Sequence, residues 1–256
     1  MTPNLEDKNI IITGASKGLG LVCAQTLAEC GARVVLLARS EEILNKLKSS
    51  LRNPNKHIAV AGDLTDFVVL EKSIKKATGF LGHVDVVLHV AGGGLGLKSE
   101  LLTAQDFSKL FALNVLVASE INRLLIPKMK ERKSGNLVHV GSIASSEGVG
   151  SVGYNTVKAG LAAYVRTLGR ELADSNVIVT GILPGGFLAP ENAMDRLKKN
   201  DPEAYSKFEA ERLPRKFMAD AKELMPMLRL LCTEQASMMS GCMVPIDAGE
   251  GRAYCN

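Results

Sequence analysis

Seven short apolar runs, none of them alternating with polar residues, constrain this 256-residue chain more than any other feature. They fall at 8–13 (KNIIIT), 33–38 (RVVLLA), 57–62 (HIAVAG), 84–94 (VDVVLHVAGGG), 136–141 (NLVHVG), 176–183 (NVIVTGIL) and 241–247 (GCMVPID). A strand that is apolar on both sides must be covered on both sides. The intervening stretches carry helical spacing: 21–31, 40–51 with Ser40 as cap, 66–79, 104–130, and the stretch that follows Tyr154. Strands alternating with helices predict an α/β chain with a parallel sheet between two helical layers. One stretch breaks the rhythm. Residues 190–216 are charged and contain Pro202 and Pro214, and they read either as an inserted helical flap over the carboxyl ends of the strands or as a surface excursion.

Composition narrows the function classes. A hydrophobic share of 46% is ample for a core, and the sequence shows no run of the ~18 apolar residues that a membrane span needs. The first residues, MTPNLEDKN, lack the basic and apolar segments of a secretion signal. Five cysteines (Cys23, Cys30, Cys232, Cys242, Cys255) show no CxxC or Cys/His spacing, which predicts reduced thiols and no metal. The net charge of +4 comes without a basic run, so no nucleic-acid partner is expected. The expectation is a soluble cytoplasmic protein.

Between the first strand and the next helix lies Thr13-Gly14-x-x-x-Gly18-x-Gly20. Glycine permits positive φ and close backbone approach, and a helix N-terminus offers free amides to a pyrophosphate. The spacing is neither GxGxxG nor a P-loop with Gly-Lys-Ser/Thr, which argues against an NTPase. After the second strand a carboxylate would hold a ribose 2′-hydroxyl. This chain instead has Ala38, Arg39 and Ser40, with Lys17 in the glycine loop; two cations and no acid favour the 2′-phosphate of NADP(H). Asp63, after the third strand, can accept from an adenine amino group or cap the next helix.

Tyr154 and Lys158 are four residues apart and share one helix face. Making a tyrosine a base at neutral pH takes ~3 pKa units, or ~4 kcal/mol. One cation at about 4 Å in a medium of effective dielectric ~20 supplies roughly that much. In the reducing direction the phenol is already protonated and donates directly.

With these residues in view, the chain resembles the short-chain dehydrogenase/reductase family over residues 6–250, in its single-domain branch. The motifs occur in the family's order: TGASKGLG at 13–20, GDL at 62–64, Asn114 in LNV, Ser142, YNTVK at 154–158 and PG at 184–185. The resemblance implies a Rossmann-type doubly wound, predominantly parallel seven-stranded sheet in a single domain over 1–256, with the flap at about 186–216. It implies an NADP(H)-dependent carbonyl reductase or alcohol dehydrogenase. Tyr154 would be the acid or base, and Lys158 would lower its pKa and hold the nicotinamide ribose. Ser142 would hold the substrate oxygen, with Ser145 as rival. Asn114 would hold a water in a proton relay, or simply bond to neighbouring backbone. The matched motifs also assign Gly14, Ser16, Lys17, Gly18, Leu19, Gly20, Arg39, Ser40, Asp63, Leu64, Ala91, Gly92, Pro184, Gly185 and Phe187 to the cofactor. A homo-oligomer, tetramer or dimer, is expected.

There are departures. The family's Asn-Asn-Ala-Gly reads His89-Val90-Ala91-Gly92, so the central sheet must be braced otherwise. After PG, Ala189 stands where a threonine usually meets the nicotinamide carboxamide. His89 and His139 read as satisfied core histidines. The substrate expected is a 3-oxoacyl thioester or a sugar or secondary-metabolite ketone. Seven basic against six acidic residues in 190–216 give an anionic substrate no clear support. The alternatives are a non-catalytic NADP-binding sensor or scaffold and, more remotely, a nucleotide-sugar epimerase.

Overall fold

The computed structural model describes residues 4–253. All seven apolar runs become strands: β1 (Asn9–Thr13), β2 (Arg33–Ala38), β3 (Ile58–Ala61), β4 (Val86–His89), β5 (Gly135–Val140) and β6 (Val177–Pro184), with the seventh run last in the chain. Two-residue strands β7 (Phe187–Leu188) and β8 (Ala219–Asp220) pair separately, and β9 (Met243–Ile246) completes the main sheet. Its order is β3-β2-β1-β4-β5-β6-β9, and every pairing is parallel. The chain starts at β1, winds outward to β3, then crosses to β4 on the other side of β1. This reversal opens a crevice beyond the carboxyl ends of β1 and β4.

The helices are α1 (Gly18–Glu29), α2 (Glu41–Ser50), α3 (Phe67–Leu81), α4 (Ala104–Phe111), α5 (Val117–Arg132), α6 (Val152–Glu171), α7 (Ala193–Asn200), α8 (Pro202–Arg212) and α9 (Met225–Leu231). Successive strand residues feed opposite layers, which is why polar alternation is missing. Ile10, Ile12, Val34 and Leu36 pack with Leu27, Leu44 and Leu228 on one face. Ile11, Val35 and Leu37 pack with Leu70, Ile121 and Val165 on the other. Each such side chain, fully buried, contributes about 1.5–3 kcal/mol.

Three local findings differ from the expectations. The helix expected over 104–130 contains a π turn at Ala112–Leu116, where the Val117 amide bonds to the Ala112 carbonyl. Taken whole, Ala104–Arg132 is long and apolar enough by composition to cross a membrane, but its apolar residues Ile121, Leu125 and Met129 pack into the second core. Asp66, not Asp63, caps α3, accepting from the Val68 and Val69 amides. Finally, α9 was not foreseen; it lies against α1, where the Cys23 thiol meets the Met225 sulfur at 3.8 Å. Cys23, Cys30, Cys232 and Cys242 are free thiols, and Cys255 lies outside the described residues.

Candidate active site

Thr13 ends β1 and fastens the crevice. Its hydroxyl accepts from the amides of both Val90 and Ala91, each at 3.0 Å, so the ends of β1 and β4 are joined by one side chain. The turn that follows requires glycine twice. Gly14 has φ +67°, and a Cβ there would sit 3.0 Å from the Ala91 nitrogen; a Cβ on Gly20 would sit 2.2 Å from the Gly14 carbonyl oxygen. The Gly18 amide donates to the Pro190 carbonyl at 2.7 Å, while the Leu19 and Gly20 amides have no partner among the described residues. Ser16 is half-buried and Lys17 exposed.

At the ends of β2 and β3, Arg39 is exposed, Ser40 caps α2 through the Ile43 amide, and Leu64 is buried. Asp63 Oδ1 accepts from the Thr65 amide at 2.9 Å and its hydroxyl at 2.7 Å. Those two bonds, with a smaller pull from Arg39, hold its carboxyl below the usual range against a small opposing effect of burial.

The residues expected to carry the chemistry stand on α6 and the segments facing it. Lys158 is buried at 4% exposure and donates to the Val140 carbonyl at 2.9 Å, its only partner among the described residues. Burial pulls its pKa down to about 8. Its nitrogen lies 5.6 Å from the centre of the Tyr154 ring. Burial pushes the Tyr154 phenol above its ordinary value, and Ser142 acts in the opposite direction. Of the two serine candidates, Ser142 is the one that acts on the phenol; the Ser145 hydroxyl is buried without a partner among the described residues. Gly92 lies against this pair, where a Cβ would come within 3.3 Å of the Lys158 nitrogen and 2.9 Å of the Asn114 oxygen. A Cβ on Gly94 would sit 3.8 Å from the Tyr154 ring.

Asn114, in the π turn, spends its side chain on backbone. Its oxygen accepts from the Gly93 amide at 2.9 Å, and its nitrogen donates to the Gly93 and Leu110 carbonyls at 3.0 and 2.9 Å. Both amide hydrogens are thereby used. The turn after β6 continues the cradle. Pro184 is buried and pairs with Ile246, the Gly185 amide bonds to the Ile246 carbonyl, and the Phe187 carbonyl accepts from Asn192. Ala189, which has no hydroxyl to offer, is buried in the first core.

Sequence reasoning missed several supports. Asn155, inside YNTVK, accepts from the Gly150 amide and donates to the Glu147 carbonyl, which braces the loop between Ser142 and Tyr154. Gly150 is part of the same fit, since a Cβ there would press on the Tyr154 ring at 3.0 Å. The missing Asn-Asn brace is replaced by Thr13 and by a buried chain beneath the crevice: His89 to Asn122 at 2.8 Å, and Asn122 to His139 at 3.3 Å and to the Tyr164 hydroxyl at 3.1 Å. His139 is satisfied through the Thr180 carbonyl as well. His89 is only half satisfied, because its Nδ1 has no partner among the described residues.

The residues fit a nicotinamide dinucleotide. Gly92 leaves room beside a lysine with unspent donors, and the first turn of α1 offers free amides to a pyrophosphate.

Residues 8–200 match the family model described as short chain dehydrogenase. The chain belongs to the short-chain dehydrogenase/reductase family. It is therefore an oxidoreductase of a family that acts on ketone and alcohol groups. A ketoacyl reductase, HetN from Nostoc sp., is 33% identical over 184 residues, covering 71% of this chain and 64% of that protein. L-sorbose reductase from Gluconobacter frateurii, solved with NADPH and L-sorbose, superposes with a TM-score of 0.90 at 27% identity, covering 99% of this chain and 100% of that one. A 7α-hydroxysteroid dehydrogenase solved with NADH and 7-oxo glycochenodeoxycholic acid gives 0.87 at 27% identity, covering 96% and 95%.

Proposed function

We propose that this short-chain dehydrogenase/reductase is an NADP(H)-dependent carbonyl reductase in which Tyr154 protonates the substrate oxygen. One observation carries the reading: the nitrogen of the buried Lys158 lies 5.6 Å from the centre of the Tyr154 ring, with Gly92 and Gly94 against the two side chains and Ser142 acting on the phenol. Ser142 and Tyr154 together hold a ketone oxygen, and the Tyr154 proton neutralises the charge that develops there. Lys158 has donors to spare for the ribose hydroxyls and a charge that steadies the phenolate left behind. Asn114 acts one step back as a positioning residue, fixing the Gly93 peptide beside them. The nicotinamide supplies the hydride when bound.

The solved relatives bind NADPH in one case and NADH in the other, so the preference rests on this chain's own residues. Arg39 and Lys17, exposed and outside every ion pair among the described residues, are the groups that favour a 2′-phosphate. The substrate class is a ketone, either a 3-oxoacyl thioester or a sugar or secondary-metabolite ketone. The protein works as a dimer or tetramer, supported by Phe111, Leu116 and Val152, apolar and 38–50% exposed on the α4–α6 side. A monomer in light scattering would exclude that assembly.

The test is NADPH oxidation against a panel of acyl-thioester, sugar and cyclic ketones, repeated with Tyr154→Phe. Turnover of at least one ketone by the native protein, with its loss and retained NADPH binding in the variant, is expected. A Tyr154→Phe protein as active as the native one would remove the proposed donor.

A further inference from the structure

A carboxylate with 3% of its side chain exposed needs an explanation, and Glu250 lies in the last described segment, far in sequence from the groups its carboxylate binds. One of its oxygens accepts from the Gly186 amide at 2.5 Å, in the turn that follows Pro184-Gly185. The other accepts from Arg212 Nε at 2.7 Å. Arg212 is the final residue of α8, and its guanidinium lies 5.4 Å from the centre of the Phe208 ring on the same helix. The segment bearing Glu250 is fixed independently of the flap. Asp247 accepts from the Gly249 and Gly251 amides, and Glu147 accepts from the Arg252 and Ala253 amides at 2.7 and 3.0 Å. Glu147 belongs to the loop between Ser142 and Tyr154. The flap is bounded by two non-glycine residues in the left-handed region, Glu191 at φ +59° and Lys216 at φ +60°, where a chain can pivot.

We propose that Glu250 is a positioning residue that latches the flap through Arg212 while holding the turn after β6 through Gly186, so that the flap, the cofactor-side turn and the Ser142–Tyr154 loop close as one unit. The physical reason is the cost of a lone buried charge. With Arg212 withdrawn, Glu250 keeps only one amide to offset its desolvation, so the closed arrangement is favoured. Phe208 and the stem of Arg212 go with the guanidinium, which makes α8 the moving part. Gly185 has no side chain because one would collide with the Glu250 carboxylate at 2.6 Å. The latch rests on reading the crevice as the carbonyl-reducing site, since only then does closure order a substrate.

The test combines hydrogen exchange with kinetics in the full-length protein. In Arg212→Met, amide exchange over residues 202–212 should quicken about 10- to 100-fold, the range for a lost charged hydrogen bond, while residues 184–188 stay protected. In Glu250→Gln both regions should quicken. Arg212→Lys, which keeps the charge but not the Nε donor, should fall between. The KM for the carbonyl substrate should rise about fivefold or more in Arg212→Met with kcat changed less than about twofold, the pattern of lost binding rather than lost chemistry. Melting temperatures and far-UV spectra identify any variant that has lost its fold. If Arg212→Met is such a variant, Arg212→Lys is read in its place. Flap exchange at the native rate in a folded variant would overturn the latch. A native protein that reduces no ketone would instead sink the proposed reaction and leave exchange to decide the latch alone.

Discussion

At the scale of single residues, burial sets the resting protonation of the proposed donor and its neighbour. Burial raises the phenol and lowers the ammonium to about 8, so the resting pair is neutral Tyr154 beside a lysine that sheds its proton earlier than a free one. Lys158 is charged below about pH 8 and neutral above it. The value of kcat/KM for reduction should therefore fall as pH rises through that region, and a flat profile to pH 10 would contradict the role given to its charge. Arg39→Asp belongs to the same scale. A new carboxylate near Asp63 repels a 2′-phosphate, and the NADPH-to-NADH ratio of kcat/KM should drop at least about tenfold, given about 1.5–3 kcal/mol for a lost charged hydrogen bond. An unchanged ratio would discredit the assignment. Tyr154, Lys158 and Arg39 stood out in the sequence as candidates because the chemistry expected of them depends on neighbours in the chain or at a strand end. Glu250 and Arg212 could not. Their partners lie 64 and 38 residues away, and only the folded topology brings them together.

At the scale of elements, the strands were the readable part, and β2 begins and ends where its apolar run does. Burial on both faces leaves no freedom in what a strand may contain, so its signal is continuous. Helices α7 and α8 lie inside the charged stretch 190–216, which its two prolines and its break in the strand–helix rhythm had set apart. The π turn left no such trace. ALNVL is ordinary helical sequence, and what opens it is Asn114, whose amide takes the Leu110 carbonyl and reaches across to Gly93. Asn114→Leu should let the helix regularise and release the Gly92–Gly96 loop from Tyr154 and Lys158. Stability in urea should drop by about 1–3 kcal/mol for the amides left unpaired, and kcat should fall more than KM rises. An Asn114→Leu protein with native stability and turnover would show that the clamp holds nothing of consequence. The short helix α9 was missed for a different reason: a seven-residue stretch with Pro226 near its start is too brief to show a period.

At the scale of the whole molecule, the two layers meet over a sheet whose centre carries a polar chain instead of a dry one. His89 and His139 stack at 4.6 Å, with Asn122, Tyr164 and the Thr180 carbonyl around them, beneath the same strands that end at the crevice. Burial keeps both rings neutral, holding His139 near 4 and His89 well below its ordinary value, and His57 is lowered in the same way. When the chain unfolds these rings regain pKa values near ~6.5, so below that pH the unfolded state binds protons that the folded state refuses. Stability is thus full above about pH 6.5 and declines toward pH 4, with His139 alone worth on the order of 3 kcal/mol across that interval. The carboxylates whose pKa values are lowered, Asp63 and Glu223 among them, act with the same sign but only near and below about pH 4, so the window from 6.5 to 4.5 belongs to the histidines. Urea unfolding at pH 7.5, 6 and 5 should show the loss. His139→Gln should flatten the slope in that window even though it lowers stability at pH 7.5, because the replacement cannot titrate. A native protein equally stable at pH 7.5 and 5 would mean the rings are not held neutral, and the brace beneath the crevice would need a different chemistry.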